Sequence, residues 1–180
     1  MSKAALISIR PKWCEKICNG KKTIEVRKTR PKLETPFKCY IYCTQARERL
    51  ITILKDGDEN YGEIYRGKPV FIKTDEGSVC DMWGKRQKVI GEFDCDDIYE
   101  IDPTKTIGAG FAEDSCVSSR DIHEYLGGQT GYGWHIFDLK IYDKPKELSE
   151  FTFLRETKFG SEPVTIKRPP QSWRYVEEQK

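Results

Sequence analysis

At 180 residues the chain is long enough to bury its own core without staples, and 12% aromatic content suffices for both a core and binding surfaces. The net charge of +2 hides an asymmetry: up to Lys32 there are ten bases against two acids, a net +8, and the remainder carries −6. A basic end on a near-neutral protein points to an anionic partner, nucleic acid being the commonest, with a solvated surface of mixed charge as the alternative.

The N-terminus reads as a strand, Ala5 to Ile9, followed by Arg10-Pro11 opening a helix, because proline at the first helical position sacrifices no hydrogen bond. Trp13, Cys14, Ile17 and Cys18 share one side of that helix, and Asn19-Gly20 ends it. Thr23 to Arg27 is the next strand. Its period-2 alternation sends Thr23, Glu25 and Arg27 to one face and Ile24 and Val26 to the other. Phe37 to Thr44 alternates as a third strand, and Gly67-Lys68-Pro69 turns into the apolar run Val70-Phe71-Ile72. Lys88 to Ile98 is a further strand in which Gly91 marks a bulge or a close approach. Gly108-Ala109-Gly110 reads as a flexible loop. Ser118-Ser119 supplies N-caps for a helix through Leu126, closed by Gly127-Gly128. Trp134 to Tyr142 is a strand with an irregularity, and Lys144 to Phe151 crosses one end of the fold. Lys167 to Val176 is too proline-rich for a helix and too aromatic to be disordered.

About six strands with two or three helices and no strand–helix rhythm indicate an α+β fold, a small mixed β-barrel with two or three flanking helices. One domain over residues 1–180 is expected, with a proline- and aromatic-rich C-terminal extension from about residue 152. The seven cysteines, with no apolar leader and no membrane-length apolar run, lead to the expectation of a reducing cytoplasm and no membrane partner. Cys14/Cys18 and Cys39/Cys43 match paired zinc ligands only loosely, so buried thiols acting as small hydrophobes are expected, with no metal and no cofactor. His135 is expected to be a hydrogen-bonded structural histidine and His123 a surface one. No phosphate loop, HExxH, GxSxG or EF-hand pattern is present, and the Ser115–Ser119 run has no neighbouring base to activate a nucleophile.

The densest chemistry lies in Asn19–Lys28. Gly20-Lys21-Lys22-Thr23-Ile24-Glu25-Val26-Arg27 fits G-x-K-x-x-E-x-R, which resembles the signature of the ASCH domain family within the PUA-like superfold. The flanks are similar too: Ser8-Ile9-Arg10-Pro11 with the helix into Asn19-Gly20, then Val89 to Phe93 and Gly133 to Ile136 as barrel strands. Arg168 to Tyr175 resembles the tail of longer members from bacterial and phage-derived genomes. The resemblance implies a small barrel with a cleft into which Lys22, Glu25 and Arg27 project, and RNA binding as the function. It also implies an alternative, since one branch consists of amidohydrolases that deacylate N4-acetylcytidine with a lysine, a threonine and a distant glutamate. Lys22 matches that lysine, whereas the threonine position is Glu25 here; Glu113 and Glu124 are candidates for the distant carboxylate.

Independently of family, arginine offers a planar fork to phosphate or a base edge, lysine a compact charge, and glutamate an acceptor for a base amino group. Arg10, Lys21, Lys22, Thr23, Glu25 and Arg27 are therefore the candidate ligand-binding residues, with Lys22 and Glu25 as catalytic candidates should there be chemistry. Trp134, Trp173 and Tyr175 are candidate stacking platforms, although Trp13 and Trp134 also suit core packing. A purely structural ion pair, or a protein-interaction module without catalysis, is the competing reading. RNA or a modified nucleoside is the expected partner, and the sequence is silent on oligomeric state.

Overall fold

A computed structural model describes residues 2–45, 50–51, 63–64, 71–73, 79–81 and 87–179. In chain order the elements are β1 (Lys3–Ile9), α1 (Pro11–Cys18), β2 (Ile24–Arg27), β3 (Phe37–Cys43), β4 (Leu50–Ile51), β5 (Glu63–Ile64), β6 (Phe71–Lys73) and β7 (Val79–Asp81). They continue with β8 (Lys88–Cys95), β9 (Ile98–Ile101), α2 (Ala109–Ser115), α3 (Ser119–Leu126), β10 (Gly131–His135) and β11 (Phe137–Lys146). After a short 3-10 turn at Leu148–Glu150 come β12 (Thr152–Thr157), β13 (Gly160–Thr165) and β14 (Trp173–Glu177). The fold is α+β, as expected. Val70 and the Gly67–Pro69 turn lie outside the described residues.

The main sheet has five strands in the order β11-β8-β3-β1-β14, and a second has three in the order β2-β10-β9. β1 and β3 run parallel and every other pairing in these sheets is antiparallel. Between the two sheets lies the largest core, built from Ile7, Ile9, Ile41, Phe93 and Trp134 with the buried thiols of Cys14, Cys39, Cys43 and Cys95. The far face of the main sheet is covered as well: Leu6, Tyr40 and Val89 pack with Phe151, Ile166 and Val176. That double burial explains why Ala4 to Ile9 is apolar with little alternation, as a strand covered on both faces must be. A third cluster, Ile101, Ile122 and Leu126 with Val26 and Phe111, seats α2 and α3 on the outer face of the three-stranded sheet.

The sheets are joined by a bent ribbon. β8 and β11 pair in the main sheet, while their chain neighbours β9 and β10 pair in the second. The bends fall at Asp96-Asp97 and at Ile136, so Lys88–Ile98 and Trp134–Tyr142 are not single strands but strands that change sheets at a corner. His135 clamps that corner, its Nδ1 lying 2.6 Å from Asp96 Oδ1 and its backbone N–H donating to the Asp97 carbonyl. Among the described residues the hydrogen bonding does not close into a continuous ring. Gly91 is both a bulge and a close approach: β3 pairs Ile41 with Gly91 and Tyr42 with Val89, and a Cβ at Gly91 would sit 2.4 Å from the Lys140 carbonyl oxygen.

α2 and the tail bring their residues to the neighbourhood of β2. The Gly108–Gly110 segment is not a loop; it starts α2, which packs Phe111 edge-on against Tyr99 and under Gly133, where a Cβ would meet the ring at 2.7 Å. Gly108 is the N-cap, where glycine is well tolerated, and tertiary packing overrides Gly110, the one glycine inside the helix. The tail ends as β14, antiparallel to β1 from Lys3↔Glu177 to Ile7↔Trp173, and so belongs to the main sheet.

Candidate functional site

α1 begins at Pro11, and Gly20 with φ +71 turns the chain out of it. The N–H groups of both Lys21 and Lys22 return to the Lys16 carbonyl. This tight exit drops Lys22 beneath Trp13, its ammonium 5.2 Å from the ring centroid, and leaves it 2% exposed. An ammonium in that position needs acceptors for its three hydrogens. Nζ donates to the Ser115 carbonyl at 2.6 Å and the Ile24 carbonyl at 2.8 Å, and lies 3.2 Å from Glu25 Oε2. Ser115 is the last residue of α2, whose terminal carbonyls have no partner within the helix and sit at its negative end. Lys22 thus caps α2, while the Thr23 N–H donates to the Asp114 carbonyl beside it.

β2 carries the row onward. Glu25 Oε1 accepts from Arg27 Nη2 at 2.9 Å, and the same nitrogen donates to the Ser8 carbonyl at 2.7 Å. Glu25 and Arg27 are 6% and 8% exposed, so the polar face of this strand is as buried as its apolar face. Two cations and one anion leave one excess positive charge largely out of water, which is costly unless further partners are found. Among the described residues Glu25 Oε2 and Arg27 Nε have no hydrogen-bond partner.

The row lines a cleft of about 520 Å³. Trp13 and Tyr125 form aromatic parts of its wall, Val26, Val117 and Ile122 apolar parts, and Ser8, Thr44 and Asp121 polar ones. Arg10 and Lys12 stand at its rim, both exposed. Lys12 lies 4.4 Å over the Trp13 ring and Lys28 5.2 Å over that of Tyr125. The remaining wall is Pro170-Gln171-Ser172 from the tail, tied down where Ser8 Oγ donates to the Pro170 carbonyl and the Ser8 N–H to that of Ser172.

Of the sequence-predicted residues, Arg10, Lys22, Glu25 and Arg27 are brought together here. Thr23 contributes only backbone bonds, to Asp114 and from the Ile136 N–H, and does not line the cleft. Lys21 is exposed outside it, its carbonyl accepting from Cys116 Sγ. Trp134 has to be corrected: register places it opposite Glu25 on the same face, yet its ring is fully buried, edge-on to Phe37 and Trp173, and offers no face to a ligand. Trp173 and Tyr175 line a different groove, between β14 and β12. Glu113 and Glu124 are exposed on α2 and α3 and line neither cavity. Sequence reading missed Tyr125 and Asp121, although their i, i+4 spacing on a capped helix was a usable signal. It also missed Ser8, Thr44 and Ser115, for which only the fold supplies one.

Cys14, Cys39, Cys43, Cys95 and Cys116 are in no disulfide, and burial raises the Cys14 and Cys39 thiols well above their ordinary value. Among the described residues no group of three His, Cys, Asp or Glu gathers to hold a metal, and no helix is long and apolar enough to cross a membrane.

Crystal structures of ASCH from Zymomonas mobilis share this architecture. The unsubstituted protein is 18% identical over 97% of this chain and 88% of that one, with a TM-score of 0.53. A tyrosine-to-phenylalanine variant gives 0.53 at 18% identity, over 98% and 92% of the two chains. A serine-to-alanine variant gives 0.51 at 17%, over 97% and 89%. No protein-family model matches the sequence, nor does any curated protein. Likeness at this level of identity establishes fold, and the fold is of the ASCH type.

Proposed function

We propose that this chain binds single-stranded nucleic acid, RNA foremost, by taking an unpaired nucleotide into the cleft. The observation that carries the reading is the buried Lys22–Glu25–Arg27 row with its excess positive charge, lining a cavity, in which Arg27 Nε has no partner among the described residues and Glu25 Oε2 is held by the Lys22 ion pair alone. A structural ion network has no need of a cavity beside it.

Each element of the cleft has a fitting role. Tyr125 presents a ring on which a base can stack, a contribution of roughly 1–3 kcal/mol per base, while Trp13 is lined by the Lys12, Lys16 and Lys22 ammonium groups. The Glu25 carboxylate suits an amino N–H on a base edge, and the Arg27 guanidinium a carbonyl or ring nitrogen. Arg10 and Lys12 meet the phosphates at the mouth. Lys22 is a positioning residue that fixes Glu25 and the end of α2.

Amide hydrolysis on a modified nucleoside is the competing reading, and the geometry of Lys22 weighs against it. All three of its ammonium hydrogens have an oxygen within reach, so attacking or activating a substrate would mean giving one up. No threonine stands where Glu25 does.

The test is fluorescence anisotropy with labelled single-stranded RNA at low ionic strength. Arg10→Ala with Lys12→Ala is expected to weaken binding about tenfold or more, through lost phosphate contacts. Absence of binding by the unsubstituted protein overturns the reading. Release of acetate from N4-acetylcytidine by the same protein would replace it with the hydrolase.

A further inference from the structure

The cleft wall Pro170–Ser172 runs directly into β14, and β14 lines a second groove, of about 460 Å³, between it and β12. Tyr175 is 36% exposed there, with Lys3 Nζ 5.9 Å over its ring. The Arg174 guanidinium lies over Phe153, its Cζ 3.7 Å from the ring centroid, and its Nε has no partner among the described residues. Burial pulls the Arg174 guanidinium down from its ordinary value, as expected of a cation short of partners.

The loop after β2 connects the two cavities. Lys28, Arg30 and Lys32 are all exposed, and the loop is pinned along β14: Trp173 Nε1 donates to Thr29 Oγ1, and the Lys32 N–H donates to the Tyr175 hydroxyl. One end of this basic loop, Lys28, sits over the cleft's Tyr125, and the other sits at the groove's Tyr175.

We propose that the second groove is a continuation of the nucleic-acid site: a single strand whose one nucleotide occupies the cleft runs past Lys28, Arg30 and Lys32, and places a further base on Tyr175. This rests on the cleft reading and adds a direction and a footprint to it. From Ser172 to Glu177 the extended chain covers roughly 16 Å, the span of about five stacked nucleotides at 3.4 Å each. Glu156 and Glu177 also line the groove, where they would repel phosphates. They suit base amino groups instead, with the phosphates following the exposed cations of the loop.

The experiment compares labelled oligocytidylates, whose bases carry an amino group, of two and eight nucleotides on the full chain. The octamer is expected to bind at least about tenfold tighter than the dimer, because it alone reaches the loop and groove. Arg30→Glu with Lys32→Glu, both exposed side chains, should bring the octamer down to the dimer's affinity and leave the dimer unchanged. Tyr175→Leu should give a partial loss for the octamer only. If the dimer binds and the octamer gains nothing, or the double reversal leaves the octamer unaffected, the continuation is wrong while the cleft reading stands. An acidic peptide that displaces neither oligomer supports the assignment, and one that displaces the octamer alone overturns it in favour of a peptide groove. If neither oligomer binds, both readings fall together.

Discussion

Lys22 and Lys12 carry the same charge ten residues apart and have opposite jobs. Lys12 is exposed over Trp13, where its loss removes a solvated charge and a cation–π contact. Deleting the Lys22 ammonium strands the Ser115 and Ile24 carbonyls and Glu25 Oε2, all in a dry setting. We therefore expect Lys22→Met to cost about 3–5 kcal/mol in urea unfolding, and Lys12→Met to stay within about 0.5 kcal/mol. Loss of RNA binding in Lys22 or Arg27 variants would for this reason report unfolding as readily as a missing contact, which is why the rim residues are the better functional probes. Glu15 makes a second residue-scale case. Burial raises its pKa above the ordinary 4.5, with Lys16 and Lys21 pulling the other way. A raised pKa means that the charged form is disfavoured in the folded state, so ionised Glu15 subtracts stability at neutral pH and stops doing so as pH falls through its folded value. Glu15→Gln is expected to raise the urea midpoint at neutral pH, with the gain vanishing below pH 4.5.

At the scale of elements, α2 is where local signals and tertiary context disagree. Seven residues with Gly110 in the first turn make a poor helix alone. It forms because Phe111 fills the space above Gly133 and because Lys22 caps its end. α3 is the contrary case: the Ser118 hydroxyl accepts from the Asp121 N–H, Gly127 closes the helix at φ +62, and sequence alone specified both ends. β8 and β11 depend on the missing side chain at Gly91. Gly91→Ala would press a methyl against a backbone oxygen that cannot swing aside, and is expected to cost about 1–3 kcal/mol in equilibrium unfolding, with a disturbed β8–β11 register in amide exchange.

Across the whole molecule, the basic N-terminal segment is divided by the fold into two populations. Lys22 and Arg27 are consumed in the buried row, while Arg10, Lys12, Lys28, Arg30 and Lys32 remain exposed along the cleft rim and the tail. Counting Arg10, Lys12, Lys28, Arg30 and Lys32 as phosphate contacts, log K for the octamer should fall against log salt with a slope of about −3.5. Removing the last two should bring it to about −2. A slope near zero would mean that the partner is not held through phosphates.

By itself the sequence determined the elements whose cause is local: α1 between Pro11 and Gly20, the capped α3, the β1 and β3 strands, and the alternation that sets Glu25 and Arg27 on one face. It also contained the motif whose resemblance to ASCH domains pointed to this fold. Only the tertiary structure decided that this face is buried, since alternation tells which residues share a side and not what covers it. It likewise decided that Trp134 fills the core, that Lys22 serves α2, and that the C-terminal segment walls the cleft. Those outcomes depend on Ser8, Ser115 and Pro170–Ser172, which are far apart in the chain and carry no local pattern until β1, α2 and β14 are packed together.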